Sequence, residues 1–517
     1  MLRWRWGLCW LALLASCAAL ASPWPTRGWP RASPESQGVD SAALAALYEA
    51  VAEPRLRVDS VLIVRHGHIV SEAYFAPYEA GLLHDLRSAA KSVLGCLVGV
   101  ALQRGQLLSV DQTLEPYFPE HFQAGRGADP RQRAITLGHL LEMRAGIEWR
   151  EWPYDERSDV LRMAASGDAV RYILQQPMRD VPGERFHYSG AAPQLLAAVL
   201  LRATGVDAAA YARRELFEPL GITTSRWRTD SQGRAIGESG LSLQPRDLAK
   251  IGLLVLRDGI WDGRRLLPAG WVPMVGTRAR THGLPERLGL PPRYAGLWWI
   301  DERVPMAVAS GRHGQYLVVL PRHDALVVVT AKTSDSEAEP LRLSDFVVQR
   351  VLPALRGDRA LPENRAAQRR LEATLARLTA ERALAGVRMP DAARRFMGQS
   401  YAIDPNPLGW TRISIAADTN AQGRLVLRWQ PGSATGLPGQ LELPLSFEGR
   451  FQRSTPTAQD VYASRAVWKD DKTLVVELQD LQGAVETELR LRFIDQALEL
   501  SVTNGDGLQV MVKGRRD

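Results

Sequence analysis

A serine and a lysine three residues apart, Ser88 and Lys91 in DLRSAAKSVLGCLVG (85–99), have the types and spacing to do chemistry. The chain holds six lysines (Lys91, Lys250, Lys332, Lys469, Lys472 and Lys513) against 58 arginines, so a lysine here stands out. Arginine keeps its proton in a protein, whereas a buried lysine shifts its pKa readily. Positions i and i+3 of a helix share a face, which lets both side chains reach one spot. A lysine among apolar neighbours is expected to lose its proton and serve as a base toward the serine hydroxyl. If Ser88 opens the helix, its backbone N–H is also free to hold an oxyanion, helped by the helix dipole. The same two residues could equally be a capping serine and a snorkelling lysine, and S-x-x-K alone does not decide.

Two further stretches bear on that choice. PGERFHYSG (182–190) sets Tyr188 on a loop ahead of the apolar helix QLLAAVLLRATG (194–205), as a reacting group or as an anchor. SGRHGQYLVVLP (310–321) is a glycine-containing strand start that either lies beside the serine or is an edge bulge. His187 either orients Tyr188 or bonds to backbone. Glu151, Trp152 and Tyr154, which follow AGIEWR (145–150), either line a pocket or pack as an aromatic loop on helices.

The elements that must carry these residues follow from periodicity. DSVLIVRHGHIVSEAYF (59–75) reads as a β-hairpin turning at Gly67. His66 and His68 form an H-x-H pair with no further metal-ligand pattern, which favours turn residues over zinc ligands. A helix hydrophobic on most faces spans about 88–103 and is therefore buried. Residues 107–240 are mainly helical, and 245–259 is a helix with Pro at its start and Gly past its end. Strands return at 295–301, 306–321 and 325–332, and a helix at 341–355 closes the unit. This order predicts an α+β fold: an antiparallel sheet flanked by helices, with an all-helical subdomain. An arginine-rich helix within 357–386 is expected to link domains. Beyond it, short alternating segments separated by Gly, Pro and Asn predict an all-β sandwich or barrel over 387–517.

At 517 residues the chain is too long for one core, and 45% apolar with 23% charged residues is ordinary globular composition. The formal charge of +7 comes from arginines scattered among acids, so a solvated surface is expected and no nucleic-acid partner. The first 21 residues, with Arg3 and Arg5 before a short apolar run, read as an export leader. Two processing sites compete: cleavage after Ala19-Leu20-Ala21, or a lipoprotein box ending at Cys17 that would attach the protein to a membrane. Cys9 and Cys17 fall in the leader, leaving Cys96 as a single buried thiol and no intramolecular disulfide.

Serine, lysine, tyrosine and a glycine-containing strand in this order resemble the serine β-lactamase-like, penicillin-recognising hydrolases. The likeness is greatest to the branch of esterases, D-aminopeptidases and 6-aminohexanoate-dimer hydrolases. It covers about 35–356 and includes ITLGHLLEMRAGIEWRE, LFEPLGITTSRW and GLSLQPRDLAKIGLLVLRDG. The resemblance implies a β-lactamase/transpeptidase-like fold with Ser88 as acylated nucleophile, Lys91 as its base and Tyr188 as proton shuttle. It implies an oxyanion hole from the N–H groups of Ser88 and Gln315, and it sets Arg312-His313-Gly314 where lactamases have Lys-Thr-Gly. Two departures stand out. Gly190 replaces the asparagine of Tyr-x-Asn, and the strand motif lacks its lysine. Arg312 is left either to pair with a substrate carboxylate or to be solvated.

No G-x-S-x-G elbow, H-E-x-x-H or P-loop occurs. The resulting expectation is an exported serine hydrolase, periplasmic or lipid-anchored, working through an acyl-enzyme without a cofactor on a small ester, amide or peptide. The alternatives are a β-lactamase or D,D-carboxypeptidase on cell-wall peptides, or a non-catalytic binding protein. The C-terminal β domain resembles those appended to this family, and its strands show no catalytic cluster.

Overall fold

Val58–Arg65 (β1) is buried at every position, as a strand covered on both faces must be, and its apolar run VLIV provides for this. It returns as His68–Tyr74 (β2) through a two-residue turn in which His66 (φ 49°) and Gly67 (φ 76°) are both left-handed, the conformation that matches strand twist. The computed structural model describes residues 24–122, 129–274, 289–333, 342–385, 389–418, 422–429, 439–455 and 461–517. The leader, with Cys9 and Cys17, lies outside the described residues.

Five later strands complete an antiparallel sheet: Arg293–Ala295 (β3), Trp298–Asp301 (β4), Met306–Gly311 (β5), Gln315–Leu320 (β6) and Ala325–Ala331 (β7). Their order is β2-β1-β7-β6-β5-β4-β3, with Ile63 opposite Val327 and Gly311 opposite Gln315. Ser41–Val51 (α1), capped by the Asp40 carboxylate, and Pro245–Leu256 (α4), opened by its proline, flank this sheet. Between them in sequence come Ala90–Gln103 (α2), buried from Ala90 through Ala101, and Ala191–Thr204 (α3), ended by left-handed Gly205. Helix α2 is wedged between β4–β5 on one side and α3 on the other. A Cβ on Gly95 would sit 2.1 Å from the Gly296 carbonyl oxygen, so only glycine lets α2 cross the β3–β4 turn.

Arg365–Thr379 (α5) does more than connect. Leu371 and Leu378 join the main core, and Gln368 Nε2 donates to Glu35 Oε2 at 2.7 Å.

The C-terminal region is the barrel of the two β forms expected. Its strands are Gln399–Ile403 (β8), Trp410–Ala417 (β9), Gln422–Trp429 (β10), Gln440–Ser446 (β11), Gln452–Arg453 (β12), Tyr462–Trp468 (β13), Thr473–Asp480 (β14), Glu486–Ile494 (β15), Ala497–Asn504 (β16) and Gln509–Arg516 (β17). They form one antiparallel ten-stranded sheet, β11-β10-β9-β8-β17-β16-β15-β14-β13-β12, curled until it nearly closes. The Ser464 hydroxyl of β13 reaches the Pro444 carbonyl of β11 across the seam. Buried and exposed residues alternate along β10, as a filled barrel interior requires. The barrel touches the first unit through Leu82, which packs on Val461, Ala463 and Leu481.

Candidate active site

Ser88 lies in a 3-10 turn, Arg87–Ala89, that runs directly into α2. The turn is entered through Arg87 in a left-handed conformation (φ 49°), which is costly for a side-chain-bearing residue. The Asp85 carboxylate holds it by accepting from the Arg87 backbone N–H at 2.9 Å. Lys91 is fully buried one turn on, and its Nζ donates to Ser88 Oγ at 3.0 Å and to the Glu238 carbonyl oxygen at 2.6 Å. The Tyr188 side chain lies beside this pair, its ring centroid 5.2 Å from Nζ.

The charge state of Lys91 is a correction to the reading from sequence. Burial does work against the ammonium, but Tyr188, Glu238 and Glu151 outweigh it, and Lys91 holds its proton above the ordinary lysine value. The apolar neighbours visible in the sequence are only half of its surroundings. Burial also raises the Tyr188 phenol, with Lys91 pulling the other way. Cys96 is buried, and burial pushes its thiol up to about 12, an inert core residue.

Glu151 turns inward. Its Oε2 accepts from Trp149 Nε1 and from the Gly190 N–H, both at 2.8 Å, and Oε1 accepts from the Tyr154 hydroxyl at 3.3 Å. Burial raises its carboxyl above the usual range even though Lys91 draws it down. A Cβ on Gly190 would point at Glu151 Oε2 (3.4 Å) and at Cβ and Cγ of Glu238 (3.5 and 3.6 Å). Two glutamates therefore border the position that the asparagine takes in Tyr-x-Asn.

Aromatic rings wall the site. Tyr188 is stacked between Trp152 (5.6 Å, 16°) and Trp299 (5.9 Å, 13°), with Tyr294 edge-on at 6.2 Å. Trp152 and Tyr154 remain 40% and 37% exposed, as residues at a cleft mouth do. A cavity of about 690 Å³ opens behind Tyr188, lined by Trp149, Glu151, Trp152, Phe186 and His187, but neither Ser88 nor Lys91 lines it. His187 Nε2 lies 2.7 Å from the Trp149 carbonyl oxygen, so this ring is tied to backbone.

Arg312-His313-Gly314 forms the turn between β5 and β6, with His313 (φ 69°) and Gly314 (φ 92°) left-handed. Gly311, just before it, packs against the Ser88 turn: its Cβ would fall 2.2 Å from the Leu86 carbonyl oxygen and 3.2 Å from the Ala89 nitrogen. Gln315 opens β6, and its buried amide donates to the Ala331 carbonyl at 2.6 Å. Arg312 has a partner within the chain. Its Nη1 lies 2.9 Å from Asp506 Oδ1, a residue of the barrel.

Ser88, Lys91, Tyr188, Glu151 and Gly190 thus converge, and Trp152, Tyr154 and Arg312 stand at the rim. Glu238, Trp299, Tyr294 and Asp506 were not singled out from sequence. Glu238 sits in a Gly/Ser loop and Trp299 in a strand, and neither has a spacing that ties it to Ser88.

An antiparallel sheet carrying Ser-Lys on its covering helix and a glycine-bearing strand beside it defines the β-lactamase/transpeptidase fold. The β-lactamase family pattern matches residues 44–352, more than half of the chain, and the protein belongs to that family. A 6-aminohexanoate-dimer hydrolase of Paenarthrobacter ureafaciens is 28% identical over 300 residues, which span 54% of this chain and 74% of the relative. Two solved structures share the fold at 19% identity and a TM-score of 0.51. One is a candidate 6-aminohexanoate-dimer hydrolase from Bacillus anthracis, matched over 65% of this chain and 89% of that one. The other is a candidate β-lactamase from Bacteroides dorei DSM 17855, matched over 62% and 100%. The protein is a hydrolase of the β-lactamase fold.

Proposed function

We propose that this chain is an exported serine hydrolase that cleaves small esters or amides through an acyl-enzyme on Ser88. The observation that carries the reading is the 3.0 Å contact of Lys91 Nζ with Ser88 Oγ, with the Tyr188 ring 5.2 Å from the same Nζ. Lys91 and Tyr188 share their protons as a pair. With the ammonium and the neutral phenol both favoured at rest, loss of one proton from the pair creates the base that takes the Ser88 proton. Ser88 Oγ then attacks the carbonyl, and the oxyanion is held by backbone N–H groups of Ser88 and of Gln315 at the start of β6, the position the family likeness implies. Tyr188 returns the proton to the leaving oxygen or nitrogen, and water resolves the acyl-enzyme.

Glutamates bordering the position of the Tyr-x-Asn amide favour esters and short amides over β-lactams. Export, with Cys17 lipidated or the leader cleaved after Ala21, rests on the leader alone. Cell fractionation of wild type and Cys17→Ser tests it. The hydrolase reading is tested by a fluorophosphonate probe with peptide mapping on wild type and Ser88→Ala. Stoichiometric label on Ser88, lost in the variant, supports it, and no label on either protein sinks it.

A further inference from the structure

The barrel reaches the catalytic cleft. The turn joining β16 to β17 carries Asp506, whose Oδ1 lies 2.8 Å from His313 Nε2 and 2.9 Å from Arg312 Nη1, while Oδ2 lies 3.4 Å from Arg87 Nη2. Three basic side chains, two on the β5–β6 turn and one adjoining the nucleophile, therefore converge on one carboxylate from another domain. The turn is built for the purpose: Asn504 Oδ1 accepts from the N–H groups of Asp506 (3.0 Å) and Leu508 (2.9 Å), and Gly507 is left-handed. Its placement is set by docking along the segment leading to Ser88. Asp85 N–H donates to the Gln482 carbonyl at 2.8 Å, Arg453 Nη2 to the Pro77 carbonyl at 2.7 Å, and Arg57 pairs with Glu486.

An arginine at the end of this strand is well suited to grip a substrate carboxylate, since a guanidinium binds that group strongly and with fixed geometry. Here the grip is already taken. Arg312 lies over the Tyr154 ring at 5.0 Å, at the mouth of the cleft, with Asp506 on its guanidinium. A second carboxylate arriving at this seat would meet the negative charge of Asp506. We propose that Asp506 is a specificity-determining residue supplied by the barrel, which bars substrates with a carboxylate at the Arg312 seat and selects esters or amides uncharged at that end. This rests on the reading of Ser88 as the nucleophile. The same carboxylate gives the barrel a role in the site that its own strands do not reveal.

The test compares p-nitrophenyl valerate with the p-nitrophenyl monoester of glutaric acid, which share acyl length and differ by one carboxylate. Wild type, Asp506→Asn, Asp506→Ala, Asp506→Glu and Asp506→Asn/Arg312→Gln are used as full chains, each checked for wild-type circular dichroism. Asp506→Asn and Asp506→Ala are expected to raise the glutarate-to-valerate ratio of kcat/KM by about tenfold or more, through KM for the charged ester. Asp506→Glu should keep the wild-type ratio, and Arg312→Gln should cancel the gain. A ratio within about twofold of wild type, or a gain that survives loss of Arg312, overturns the proposal. Free glutarate titrated against tryptophan fluorescence reads the same seat without turnover. Tighter binding in Asp506→Asn supports the proposal and unchanged binding overturns it. Absence of hydrolysis in every protein would sink the Ser88 reading alone, because the glutarate titration still decides the role of Asp506.

Discussion

Gly311 and Leu86 are in such close backbone approach that a Cβ on the glycine would lie 2.2 Å from the Leu86 carbonyl oxygen. Strand β5 thereby braces the turn that presents Ser88. Gly311→Ala must push the two apart, at a cost of about 1–3 kcal/mol for overpacking. Because a displacement of about 1 Å near reacting groups costs on the order of 100-fold in rate, phosphonate labelling of Ser88 should slow far more than the thermal midpoint falls. Unchanged labelling would mean that this contact does not position the nucleophile.

The proton balance of Lys91 sets the pH dependence. Since Tyr188, Glu238 and Glu151 together hold the ammonium above its ordinary value, activity should rise with pH as the Lys91–Tyr188 pair loses a proton. Glu238→Gln removes a charge that favours the ammonium, so the rise should move to lower pH. A pH profile of kcat/KM for both proteins checks the sign, and a shift upward would refute it. Lys91→Arg should lose on the order of 10²–10⁴ in kcat/KM, the usual contribution of a positioned base.

Gly190→Asn restores the third position of Tyr-x-Asn but not its function. The new side chain would extend from a Cβ already in contact with Glu151 and Glu238, crowding them and the 2.8 Å bond from the Gly190 N–H to Glu151. We expect lower stability, by about 1–3 kcal/mol, and no gain in nitrocefin hydrolysis. Nitrocefin turnover in the variant above wild type would show that the glutamates are not what separates this site from a lactamase.

Asp506 also links the domains in a pH-dependent way. Burial works to raise its carboxyl, but His313, Arg87 and Arg312 outweigh this and lower it to about 2. Its unfolded value is about 3.9. A depressed folded value means that the stabilisation is present above the unfolded pKa and is lost as pH falls toward the folded one, between about 4 and 2. Urea unfolding of wild type should weaken across that window more than that of Asp506→Asn. Parallel profiles would show that the contact contributes nothing to stability.

Local relationships were legible in the chain itself. Ser88 and Lys91 share a face because i and i+3 always do on a helix, the apolar run after them implies burial, and His66-Gly67 between β-branched runs implies a tight hairpin. The α+β order and the all-β C-terminal region follow from periodicity of the same short range. Sandwich and barrel could not be separated, because alternation along a strand is the same in both and only closure of the sheet differs.

What the tertiary structure decided is everything that depends on distant residues meeting. Whether Lys91 holds or gives up its proton depends on Glu151 and Glu238, which lie 60 and 147 positions further along the chain and face Nζ only after folding. The partner of Arg312 comes from a separate barrel, through a turn whose own sequence, N-G-D-G, announces only a turn. Sequence spacing determines geometry within a helix or hairpin, since backbone dihedrals fix it there. Charge and proton affinity are set by every group within a few ångströms, and the fold alone chooses those neighbours.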